Sequence, residues 1–243
     1  MNYGNPNLRF YSPSQITRAE KELGLSRKVG STTAYRAFLP INIQKRDDYW
    51  NESYPFGMAD VRIQDIIDID EAGVFVESAD QKYAGVYTIG RRVKQARPYS
   101  KSVKLNIIMA ISGDPNGHRW VHTWDEGGTT NELFIAFIKN LLQSLPHGDL
   151  GRRFCITMDN LNTHLNPYVM ALIAHYGHRV CLRAPYYPID GPIEYVFNTL
   201  QNRLRLRMPF VTNIVTLRCE LMDAICSISH FVPYFQHIGF WRT

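Results

Sequence analysis

Apolar positions recur along this chain with two different periods. From Ser14 to Leu39 the period is helical: Ile16, Ala19 and Leu23 share one face, Gly24 breaks the run, and Ser26 can cap a second segment. That second segment carries Val29, Ala34, Ala37 and Phe38 among basic residues. Two short helices in this order suit the trailing part of a helix-turn-helix, and equally a plain packing hairpin. Gln44 to Met58, rich in charges and aromatic rings, is expected to be a connecting segment.

At Ile63 the pattern changes. Ile63, Ile66, Ile67 and Ile69 interleave with Asp65, Asp68 and Asp70, which predicts a strand ending at a Glu71-Ala72-Gly73 turn. Two further apolar runs, VKLNIIMAISG and HRWVHTWDEGG, flank Asp114-Pro115-Asn116-Gly117, a sequence suited to a hairpin turn. A helix capped at Thr129 or Thr130 then runs to about Ser144, with Leu133, Phe134, Phe137, Ile138, Leu141 and Leu142 as its apolar stripe. A fourth strand, RRFCITMD, leads through Asn160-Leu161-Asn162-Thr163 to a helix from about Pro167 to Tyr176. A fifth strand, RVCLRA, and the loop PYYPIDGP follow. Pro192 opens the next helix, and a last one spans roughly Ile214 to Ile228.

Three strands, then alternating helices and strands, predict an α/β fold: a mixed five-stranded sheet with helices on both faces, preceded by a short helical segment. The expected division is 1–58 for the partial helix-turn-helix-like segment and linker, and 59–243 for the sheet domain. A length of 243 residues is too short for two domains of ordinary size, and 45% hydrophobic residues exclude a disordered chain. Four cysteines, Cys155, Cys181, Cys219 and Cys226, have neither zinc-like spacing nor a disulfide framework, which suggests a reducing compartment. No apolar run is long enough to span a bilayer, and MNYGNPNLRF lacks the apolar core of a secretory signal. The expectation is a protein neither in a membrane nor secreted.

Net charge is +5, and its distribution matters more than its size. Lys82, Arg91, Arg92, Lys94, Arg97, Lys101 and Lys104 form a stretch without an acid; outside it the chain has 20 basic residues against 22 acidic ones. Such local concentration favours a polyanion such as nucleic acid, through counterion release, although a solvated charged loop would have the same composition. The candidate DNA-binding residues are Arg91, Arg92, Lys94, Arg97 and Lys101.

Three acids sit where strands or loops reach the rim of the expected sheet: Asp70, Asp159 and Glu194. Their strands are neighbours in the deduced topology, so the carboxylates can converge. Convergence is unfavourable unless a cation lies between them. Hard oxygen donors without Cys or His suit Mg2+, with Mn2+ as the alternative, and a pair of such ions supports in-line phosphoryl transfer. Each acid also has a structural role open to it: Asp70 and Asp159 could satisfy turn amides, and Glu194 could favour a helix start.

These residues resemble the DDE transposases of the mariner superfamily. The matching pieces are IDIDEAG around Asp70, the basic TIGRRVKQ stretch, TMDNLNTH from Thr157 to His164, PYYPIDGPIE ending at Glu194, and the closing YFQHIGF. Asp159 and Glu194 lie 35 positions apart, close to the separation typical of the group. The resemblance implies a ribonuclease-H-like catalytic domain, with Asp70, Asp159 and Glu194 as catalytic and metal-binding triad. It also implies double-stranded DNA, both transposon ends and target, as partner, and a homodimer as the acting form. Asn160 and His164 match accompanying positions, and Asp68 is a rival for Asp70. Nuclear residence would follow in a eukaryote, cytoplasmic residence otherwise. Two departures stand out: Gly191 occupies a position where the family usually has Asn, and the amino-terminal recognition region looks shortened. A co-opted, non-catalytic DNA-binding module retaining the fold is the alternative function, and a ribonuclease-H-like nuclease of another kind is a third.

Overall fold

The computed structural model describes residues 12–23, 35–75, 104–161, 164–207 and 211–241. Its contacts divide the chain into two units, Met1–Thr33 and Ala34–Thr243. The first contributes helix α1 (Pro13–Glu22). The basic residues Arg91, Arg92, Lys94, Arg97 and Lys101, and most of the second expected amino-terminal helix, lie outside the described residues.

The second unit is built on five strands: β1 (Ile66–Phe75), β2 (Lys104–Ser112), β3 (Arg119–Trp124), β4 (Cys155–Met158) and β5 (Arg179–Leu182), in the order β3-β2-β1-β4-β5. The first three form an antiparallel meander, and β4 and β5 join in parallel through helical crossovers, as the order of elements predicts. The β2–β3 turn is the expected one: Asp114 accepts from the Asn116 amide, and Gly117 takes φ 69°.

Successive β1 residues face opposite sides of the sheet, so its two faces have different covers. Ile67 and Ile69 pack with helices α3 (Asn131–Ser144) and α4 (Pro167–His175). Ile66 and Val74 pack with α5 (Pro192–Arg207), α6 (Ile214–Cys226) and α7 (Val232–Ile238). The caps are local and legible: Thr130 accepts from the Leu133 amide, and Asn213 and Thr216 form a reciprocal capping box.

Three elements differ from the sequence expectation. β1 continues through the expected Glu71-Ala72-Gly73 turn to Phe75, because β2 pairs with it along the whole length, from Ile67↔Ser112 to Phe75↔Lys104. Helix α2 (Pro40–Asn51) occupies much of the stretch read as a connector. Its polar sequence hides it: Tyr49 and Asn42 are its only buried residues, yet Tyr49 enters the core and meets the Thr157 hydroxyl at 3.3 Å. Helix α7 lies beyond the helix read as the last one. It anchors Phe235 beneath α5 and ends at Gly239 with φ 118°.

Candidate active site

The strand register brings the acids together. Parallel pairing of β1 with β4 ends at Asp68↔Thr157, and that of β4 with β5 at Met158↔Leu182. Continued past these last rungs, the same registers set Asp70 opposite Asp159, and Asp159 opposite Arg183. These three residues form one row at the carboxyl end of the parallel strands, where open α/β sheets present their clefts. Glu194 reaches the same place from the first turn of α5. Asp70, Asp159 and Glu194 all line one cleft of about 350 Å3, together with Asn160, Arg183 and the 184–188 loop. The two strand acids and the helix acid singled out in the sequence are therefore gathered at one rim.

Their surroundings differ. Asp70, 7% exposed, accepts from the Glu71 amide at 2.8 Å and from Arg183 Nη2 at 2.6 Å. Burial pushes its carboxyl up, Arg183 pulls it down, and the Asp159 charge adds to the rise. Glu194 is also raised, first by burial and then by the Asp70 and Asp159 charges, with Arg183 opposing. Asp159 behaves oppositely. Burial opposes its ionisation, but the His164 imidazole, 2.5 Å from Oδ1, and the Leu161 amide hold it below the usual range.

His164 is fully buried against Phe134 and bridges two acids. Nδ1 faces Asp159 and Nε2 lies 3.0 Å from Glu71 Oε2. Burial would lower its pKa; the hydrogen bonds and charges of Asp159 and Glu71 outweigh it and push it up to about 10. His164 is thus an imidazolium at neutral pH, tying the end of β4 to β1.

A second cation went unnoticed in the sequence. Arg183, 2% exposed, donates Nη1 to Asp68 at 2.8 Å and Nη2 to Asp70 at 2.6 Å. Asp68 is wholly buried, and its other oxygen accepts from the Ile193 amide at 3.0 Å, at the start of α5. Burial pushes Asp68 up to about 7, against the pull of Arg183 and that amide. Asp68 therefore does not face the cleft; it is a link between β1, the end of β5 and the helix carrying Glu194. No local pattern announces Arg183, whose partners lie 115 and 113 residues away.

The loop carrying PYYPIDGP is clamped from α2 and the residues before it. Arg46 makes a two-pronged ion pair with Asp190, both contacts at 2.7 Å, and stacks over the Tyr187 ring. The Tyr187 hydroxyl donates to the Ala37 carbonyl at 2.6 Å. Asn160 donates its side-chain amide to the Arg183 carbonyl, joining the ends of β4 and β5. Tyr186, at the cleft wall, holds the left-handed conformation with φ 68°, uncommon for an aromatic residue.

The chemistry of this donor set fits a hard divalent cation: three carboxylates share one cleft, and the Glu194 carboxylate accepts no hydrogen bond among the described residues. Among those residues, no group of three or more His, Cys, Asp or Glu is already drawn to metal-binding spacing. The two internal cations account for part of that, since Asp70 and Asp159 are each engaged by one.

Residues 65–214 match the family model of the DDE superfamily endonuclease. Solved structures with the same fold include a Mos1 mariner paired end complex with Mn, at 14% identity and a TM-score of 0.70, covering 98% of this chain and 78% of that one. A Mos1 transposase paired-end complex with left transposon end matches at 17% identity and a TM-score of 0.64, covering 93% of this chain. This chain spans 66% of its length. The Mos1 transposase catalytic domain, solved with Raltegravir and Mg, matches at 12% identity and a TM-score of 0.52. No curated protein matches the chain. The DDE part of the resemblance drawn from the sequence is borne out by the family model, and the ribonuclease-H-like mixed sheet by the fold.

Proposed function

The chain belongs to the DDE superfamily endonuclease family, and from that premise we propose that it is a mariner-type transposase that cuts and joins DNA strands with Mg2+ or Mn2+. The observation supporting this reading is the convergence of Asp70, Asp159 and Glu194 on one cleft from β1, β4 and α5. These three carboxylates would hold the ions, which when bound neutralise charge and polarise the phosphodiester for in-line displacement.

The protein's own residues do the rest. His164 keeps Asp159 ionised and fixes its orientation, and the Ile193 amide on Asp68 sets the start of α5 so that Glu194 faces the two strand acids. The Arg46–Asp190 pair and Tyr187 hold the 184–191 loop at the cleft wall. Arg91, Arg92, Lys94, Arg97 and Lys101 are the residues proposed to grip the DNA backbone.

Nicking of supercoiled plasmid tests the proposal. The wild type should nick with Mg2+ and not in chelator, and Asp159→Asn should abolish nicking while leaving DNA affinity within about twofold. Binding without cleavage by the wild type would refute the enzyme and favour a non-catalytic DNA-binding role.

A further inference from the structure

We propose that Arg183 is a built-in counter-cation of the active site, a positioning residue that occupies Asp70 before metal arrives and must release it for the ion to bind. The inference rests on the triad reading above and adds a competitor to it. Three observations carry it. The guanidinium is buried and forked, with one Nη on Asp68 and the other on Asp70, whereas its Nε has no hydrogen-bond partner among the described residues. Asp68 is itself anchored by the Ile193 amide, so it can retain Arg183 when Asp70 leaves. Gly191 makes room for the arrangement: a Cβ at this position would lie 2.9 Å from Arg183 Cζ and closer still to Nη1. That contact gives a physical reason for glycine at the position where the resemblance leads one to expect Asn.

The arrangement has a definite chemical consequence. A carboxylate shared with a fixed guanidinium is a weaker metal ligand than a free one, because binding must first break a charge-assisted hydrogen bond in a site of low dielectric. Arginine cannot relieve the competition by losing its proton. Asp68 and Arg183 therefore set the divalent-ion concentration at which the triad loads, and in the metal-free protein Arg183 offsets part of the repulsion among Asp70, Asp159 and Glu194.

Titration calorimetry with Mn2+ alone on the full chain tests this. The double variant Asp68→Asn/Arg183→Leu removes one negative and one positive charge together, leaving net charge unchanged, an amide oxygen for the Ile193 N–H, and Asp70 free of the guanidinium. It should bind Mn2+ at least tenfold more tightly than the wild type. Equal or weaker binding by the folded double variant, with Asp159→Asn still abolishing wild-type binding, overturns the counter-cation while leaving the triad intact. Wild-type binding that survives Asp159→Asn overturns the triad reading and this inference with it. Arginine side-chain 15N spectra of the unaltered protein provide a second arm, with Arg183 assigned by the signals lost in Arg183→Lys. Those signals should shift in step with Mg2+ saturation, and signals that stay fixed as the site fills overturn the proposal.

Discussion

His164 offers a measurement that isolates one internal cation. In the unfolded chain its imidazole loses its proton near 6.5; in the folded protein Asp159 and Glu71 hold that proton until about pH 10. Between these values the unfolded state binds fewer protons than the native state, so stability is fully present below pH 6.5 and declines as pH rises toward 10. Each unit in that window is worth about 1.4 kcal/mol, so in the metal-free protein this one group should account for a loss of about 2 kcal/mol between pH 7.5 and 9, read as the difference from His164→Gln. Starting at 7.5 avoids Asp68, whose raised carboxyl costs stability mainly as pH climbs toward 7. Urea unfolding in chelator, followed by far-ultraviolet circular dichroism, measures the slope. His164→Gln serves as the reference. It should be about 3–5 kcal/mol less stable at pH 7, as expected when one member of a buried charged pair is removed, and its stability should fall much less steeply over the same range, by the share of the buried thiols Cys155 and Cys181 alone. A wild-type profile that is flat from 7.5 to 9, or one matched by His164→Gln, would refute the assignment of His164 as a buried imidazolium.

Glu194→Gln relieves repulsion from Asp70 and Asp159, so the metal-free variant should be more stable than the wild type by about 1 kcal/mol near pH 7 while nicking no DNA; a less stable variant would count against the crowding of these acids. Arg46→Ala leaves Asp190, 2% exposed, without its partner and should cost about 2–4 kcal/mol, whereas Arg46→Ala combined with Asp190→Ala should cost less than the two single changes summed. Gly117→Ala forces a side chain into a left-handed turn and against the Ser229 carbonyl, and a melting temperature within one degree of the wild type would show that the turn has another conformation open to it.

The strands and most helices could be read from the sequence because their signals are local: β-branched runs, the Asp114–Gly117 turn, Thr130 as a cap, and Pro192 at a helix start. The convergence of the three acids was legible for a related reason: Asp159 and Glu194 stand at element ends, and Asp70 lies on a strand whose neighbour could be deduced from chain order, although that strand does not end there. What escaped depends on partners distant in sequence. Helix α2 has a weak apolar stripe and is held through Tyr49 and Arg46, whose partners Thr157 and Asp190 lie 108 and 144 residues on. The alternation of Ile and Asp in β1 fits a strand with its acids toward water, yet Asp68 is completely buried. Arg183 and the Ile193 amide make that tolerable, and no rule of spacing joins residue 68 to either of them.

The same long-range pairing explains how a cluster of acids can exist before any metal binds. Asp68, Asp70, Glu71, Asp159 and Glu194 approach one another from two strands and a helix, a concentration of charge that would oppose folding if left alone. The fold answers with one cation on each face of the sheet. His164 draws Asp159 and Glu71 together on the α3 side, and Arg183 draws Asp68 and Asp70 together on the α5 side. Glu194 alone receives no donor among the described residues. The charge left uncompensated is therefore concentrated where α5 meets the row of strand ends, and a divalent cation placed there would neutralise it. Folding stability and metal affinity draw on the same carboxylates, so a change that strengthens either internal cation should weaken loading of the site.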